Sequence, residues 1–101
     1  LMNEPILQMV YSAIDRINRQ NPDSEPVEKD VATILYGSKS RLDSLGLINL
    51  IVNVEQLTEE RFHVSITLAD ERALSQTVSP FSTVETLVTY IGTLLKERAD
   101  V

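Results

Sequence analysis

Apolar residues recur at helical spacing from the start of the chain. Ile6, Val10, Ala13, Ile14 and Ile17 share one face, Leu7 and Tyr11 widen it, and Asp15, Arg16, Asn18 and Arg19 fall largely opposite. Asn3, Glu4 and Pro5 supply a capping residue, an acid and a proline for the first turn. Asn21-Pro22 disfavours continuation, because the proline ring crowds the preceding residue out of the α region. The pattern predicts a helix over Glu4–Gln20.

Residues 21–41 form a long connection. Pro22 to Pro26 reads as a solvated turn. Val31, Ile34, Leu35 and Tyr36 read as anchors packing this loop on the bundle, with a short helical turn over Asp30–Leu35 ended by Gly37. Loops of this length are usually functional or disordered, and the apolar residues favour an ordered one.

A second helix is predicted over Ser44–Arg61, with Asp43 as its N-cap. Leu45, Leu47, Ile48, Leu50, Ile51, Val52, Val54 and Leu57 make it too apolar for an ordinary surface helix. Phe62, Val64 and Ile66 then alternate with His63 and Ser65, which reads as extended. Thr67–Gln76 reads as a short third helix, followed by a turn to Pro80. Ser82 and Glu85 match the capping box of a last helix, whose face is Val84, Leu87, Val88, Ile91, Leu94 and Leu95. Lys96 and Arg98 complement its dipole. The expectation is all-α: one domain over 1–101, a four-helix bundle with three longer helices, one short third helix and a long first loop.

Composition narrows the function. The 101 residues hold one core, and with 5% aromatics and no Trp that core must be aliphatic. A formal net charge of -6 argues against nucleic acid or anionic membrane as partner and favours basic proteins. Without Cys there is no disulfide, thiolate metal site or Cys nucleophile. No apolar run approaches the roughly 20 residues of a membrane span, and no signal-peptide pattern is seen, so the cytoplasm is the expected location. Leu1 ahead of Met2 reads as a remnant before the natural start.

Catalysis finds little support. There is no Gly-x-Ser-x-Gly elbow and no glycine-rich phosphate loop. The single histidine, His63, lies at the other end of the second helix from Ser44, roughly 27 Å away at the usual rise. A triad is thereby excluded, and His63 reads as a helix-end or loop residue. Glu55, Glu59 and Glu60 lack metal-ligand spacing, so no metal site is expected, and Glu59 and Glu60 read as a solvated face. What remains is Asp43-Ser44. A serine in a first helical turn sits at the positive end of the dipole, where an esterified anion gains roughly 0.3–1 kcal/mol. Asp-Ser at a helix start is also common as plain capping, and the residues alone leave both readings open.

Asp43-Ser44-Leu45-Gly46 resembles the Asp-Ser-Leu motif of the acyl carrier protein family and related carrier domains. The resemblance runs from Ile6 to Leu95. It includes the Glu59-Glu60-Arg61-Phe62 end of the second helix, the short third helix, Thr83-Val84 opening the last helix, and Tyr90-Ile91 within it. It implies a non-catalytic carrier. Ser44 would receive 4′-phosphopantetheine from coenzyme A through a phosphopantetheinyl transferase with magnesium, and Asp43 would be the acid preceding it. The arm would tether acyl or aminoacyl groups as thioesters for loading, transfer or condensing enzymes of lipid or secondary-metabolite biosynthesis.

For a carrier the expected partner contacts are Leu45, Gly46, Asn49 and Glu55, with Asp15, Glu59 and Glu60 as further acids. Leu45 is a docking residue or a core residue. Family members of fatty-acid synthesis often carry acids where this chain has Gly46 and Asn49, and Asn53 is neutral too, which points to a specialised pathway. Gly46 reads either as allowing close approach to Ser44 or as a tolerated glycine. A groove for an acyl chain is expected between the second helix and the short third one, and a monomer is the default. The alternative is a carrier-like helical interaction module without a prosthetic group.

Overall fold

The computed structural model describes residues 4–37, 39–68 and 79–99. Helix α1 spans Glu4–Gln20, as its pattern predicts. Asn21 ends it: its backbone N–H and its side-chain amide both donate to the Ile17 carbonyl, at 3.1 and 3.2 Å. The predicted stripe is buried, together with Met9, which fills the gap between Ile6 and Ala13 on the same face.

Helix α2 spans Ser44–Phe62 and helix α3 spans Val84–Ala99. α1 packs against both. From α2 come Leu50, Ile51, Val54 and Leu57, and from α3 come Val84, Leu87, Val88, Tyr90 and Ile91. Fully burying each such aliphatic side chain contributes about 1.5–3 kcal/mol, so this aliphatic seam dominates the stability. Two polar side chains enter it without an unmet bond. The Thr58 hydroxyl donates to the Val54 carbonyl at 2.7 Å, and the Asn53 amide donates to the Asn49 carbonyl at 2.7 Å. Asn53 is therefore a core residue rather than a neutral substitute on a partner-facing surface.

The long connection is held by polar clamps as well as by the buried side chains of Val27 and Leu35. Asn18 on α1 grips Val27 twice, accepting from its N–H at 2.9 Å and donating to its carbonyl at 3.0 Å. Arg41 donates to the Pro26 carbonyl at 2.9 Å and pairs with Glu25 at 3.4 Å. Ser40 donates to the Leu35 carbonyl and accepts from the Leu42 N–H, at 2.9 and 3.0 Å. Of the four expected anchors only Leu35 is buried; Val31, Ile34 and Tyr36 are exposed.

Backbone pairing explains that correction. Residues 30–35 form a turn and a single antiparallel bridge, Ile34 to Thr83, instead of a helical turn. The carbonyls of Thr33 and Val31 accept the N–H groups of Val84 and Glu85 at 3.0 Å each, and the Ser82 carbonyl accepts the Leu35 N–H at 2.9 Å. The first amides of α3, which have no partner within their own helix, are thus satisfied by the loop. Chain register, not side-chain burial, fixes Val31 and Ile34.

The cap of α3 sits one residue later than Ser82-x-x-Glu85. Thr83 and Thr86 form the reciprocal pair: the Thr86 N–H donates to the Thr83 hydroxyl at 3.2 Å and the Thr83 N–H to the Thr86 hydroxyl at 3.0 Å. Ser82 instead bonds back to the Ser79 carbonyl at 2.8 Å. At the far end of α2, Phe62 is helical rather than extended, and His63 closes the helix in the left-handed region at φ 57°. Its N–H donates to the Glu59 carbonyl at 3.0 Å. His63 is the helix-end residue its position suggested. The short helix expected over Thr67–Gln76 lies outside the described residues, apart from Thr67 and Leu68, which are not helical. No strand occurs among the described residues, and no helix there is long and apolar enough to cross a membrane.

Candidate functional site

Asp43 is the N-cap of α2. Its backbone is extended, at φ -83° and ψ -176°, and its carboxylate accepts the Gly46 N–H at 2.7 Å. The Asp43 carbonyl accepts the Leu47 N–H at 2.9 Å, the first bond of the helix ladder. Ser44 is therefore the first helical residue. It is exposed, and its hydroxyl makes no hydrogen bond with the described residues. The N–H groups of Ser44 and Leu45 are equally free of partners there, in contrast to the matching donors of α3, which the loop occupies. A free hydroxyl beside two open amides at the positive end of a helix is a setting in which a phosphate ester is stabilised. The described residues thus fit a phosphate-linked group on Ser44.

Gly46 serves the cap. A Cβ there would lie 3.1 Å from Leu42 Cδ2 and 3.2 Å from the Asp43 carboxylate, so glycine leaves room for the carboxylate that grips its own N–H. The crowded neighbours are Leu42 and Asp43, and Ser44 is not among them.

Behind Ser44 the outer face of α2 is apolar. Leu45 is 66% exposed, Ile48 56% and Val52 43%, and their spacing puts them on one stripe. Leu45 is thus a surface residue. Asn49 is half-buried and lends its carbonyl to Asn53. No acid stands in the first turn of the helix. Three of the four acids considered as partner contacts are engaged internally. Glu55 accepts the Leu68 N–H at 2.8 Å, Asp15 pairs with Lys29 at 3.3 Å, and Glu60 lies 3.9 Å from Arg16. Glu59 is exposed.

A groove of about 550 Å³ opens beside Ser44. Leu35, Tyr36 and Gly37 of the loop line it together with Leu42, Asp43, Ser44, Leu47 and Ile48 at the head of α2. Gly37 turns the loop wall at φ 115°, a conformation that favours glycine. This groove was not foreseen from the sequence. Tyr36-Gly37 just ahead of the polar run to Arg41 is the signal that could have suggested it, because it puts an aromatic on a forced corner. The groove expected between the second helix and the short third one has a wall outside the described residues. His63 stays at the opposite end of α2 from Ser44. Among the described residues no three His, Asp or Glu side chains converge on a metal-sized site.

Comparison with protein-family models, curated proteins and solved structures finds no match to this chain. The functional reading therefore rests on the residues at the head of α2.

Proposed function

We propose that the chain is an acyl carrier protein whose Ser44 bears a 4′-phosphopantetheine arm. The observation that carries this reading is the exposed Ser44 hydroxyl, without a hydrogen bond to any described residue, as the first residue of a firmly capped helix. Ser44 Oγ attacks the pantetheine-side phosphorus of coenzyme A's pyrophosphate. A new Ser–O–P bond forms, the P–O–P bond breaks, and adenosine 3′,5′-bisphosphate leaves. The serine proton passes to a base on the transferase, which also holds the magnesium. With the arm in place, the N–H groups of Ser44 and Leu45, which have no partner among the described residues, and the α2 dipole would stabilise the anionic diester. When bound, the arm supplies a thiol that holds acyl or aminoacyl groups as thioesters. The chain does no further chemistry; it raises the effective concentration of the cargo at partner enzymes that load, transfer or condense it.

The same reading takes the chain as a four-helix carrier domain, with α1, α2 and α3 as its longer members. Leu45, Ile48 and Val52 would meet partners through apolar contact. With no acid in the first turn of α2, that docking depends less on charge than a purely electrostatic contact would. A second reading draws on the same stripe. A helical interaction module would use it without any arm, and Ser44→Ala would then leave its biological role intact.

The experiment is incubation with coenzyme A, magnesium and a broad-specificity phosphopantetheinyl transferase. The intact mass should rise by one phosphopantetheine, and Ser44→Ala should abolish the rise. No gain with any competent transferase overturns the carrier reading.

A further inference from the structure

Ser44 is itself one of the residues lining the groove at the head of α2. Its volume, about 550 Å³, falls within the range of small-molecule sites, roughly 300–1,000 Å³. Of its lining residues Leu35 is buried, Leu42 and Leu47 are half-buried, and Ile48 and Tyr36 are exposed. Apolar walls left open in this way favour an apolar guest. A group attached to Ser44 therefore starts at the lining of this groove.

From these positions we infer that the groove seats the proximal section of the arm, the branched dimethyl-bearing carbon that follows the phosphodiester, and does not seat the acyl cargo. The inference rests on the carrier reading of Ser44. The charged diester stays beside Ser44, at the N–H groups of Ser44 and Leu45 that have no partner among the described residues, because burying it in an apolar cleft is costly. The first apolar unit beyond it is the geminal dimethyl carbon, a single methylene past the ester oxygen. That unit suits a cleft walled by Leu35, Leu47, Ile48 and the Tyr36 ring. The thiol lies a long run of bonds further out, so with its root held here the arm projects the thioester away from the protein. Tyr36 and Ile48 thus order the root of the arm, and the chain presents its cargo to partner enzymes.

The test loads unlabelled 4′-phosphopantetheine from coenzyme A onto protein carrying labelled Ile and Leu methyls and a labelled Tyr ring, with complete loading verified by intact mass. Isotope-filtered nuclear Overhauser spectra then report contacts between arm and protein. Expected are cross-peaks from the geminal methyls to Ile48, Leu47 and Tyr36, unchanged when the thiol carries an octanoyl chain. Tyr36→Ala and Ile48→Ser, both at exposed positions that leave the core intact, should weaken the remaining peaks severalfold when fully loaded. Full loading without such peaks overturns the inference and leaves the carrier reading standing. Peaks from the octanoyl chain in place of the geminal methyls overturn it in favour of cargo shelter. No mass gain removes both.

Discussion

Replacing Asp43 with alanine removes the acceptor that holds the first turn of α2. The bond lost is the 2.7 Å contact between its carboxylate and the Gly46 N–H. That amide lies in an exposed turn, so water takes the vacant place, and the cost is that of an N-cap, about 0.5–2 kcal/mol. The carboxylate charge at the positive helix end adds about 0.3–1 kcal/mol, less at high salt. The combined loss is about 1–2 kcal/mol, because the two effects share one side chain and do not simply add. For a domain near this size each kcal/mol lowers the melting temperature by about 4–8 °C. Asp43→Asn keeps a good capping side chain and loses only the charge, so it should recover most of the difference. Urea denaturation gives the stability, and amide exchange at Gly46 gives the site. The expected result is a lower midpoint for Asp43→Ala together with faster Gly46 exchange. An Asp43→Ala protein with wild-type midpoint and wild-type Gly46 exchange refutes the cap as the element that orders Ser44.

Two further substitutions probe the surroundings. Gly46→Ala should miss the helix-propensity gain of up to about 1 kcal/mol, because its Cβ meets Leu42 and Asp43 at 3.1 and 3.2 Å; a urea midpoint raised by that full amount contradicts the contact. Asn18→Ala severs both bonds to Val27 and should cost about 1–3 kcal/mol, read as a lower midpoint with an unchanged denaturant slope, while an unchanged midpoint shows that the clamp does not order the loop.

Much of the fold was legible because its signals are local. Pro5 at one end and Asn21-Pro22 at the other bound α1 to the residue, and Asp43 before an apolar run fixed the start of α2. What escaped depended on partners distant in the chain. Val31 and Ile34 looked like core residues, yet it is the backbone carbonyls of this stretch that are engaged, by the first amides of α3. Ser82, Thr83 and Thr86 all carry hydroxyls, and only the docking of the loop onto residues 82–85 decides which pair closes the cap. His63 ends α2 in a conformation whose usual sign is glycine, so no glycine announced it. At the candidate site, Asp43 and Ser44 were readable as a pair, while the groove was not. Its walls join residues 35–37 to residues 42–48 through a corner that the hydrogen bonds of Ser40 set.

Peptide mapping of the protein purified from its own cells shows whether Ser44 carries the arm. Trypsin releases Leu42–Arg61, in which Ser44 is the only serine. The account predicts that this peptide carries a phosphopantetheine on Ser44, with or without an acyl group on its thiol. An unmodified peptide in every growth condition, or the arm found on any other residue, contradicts it.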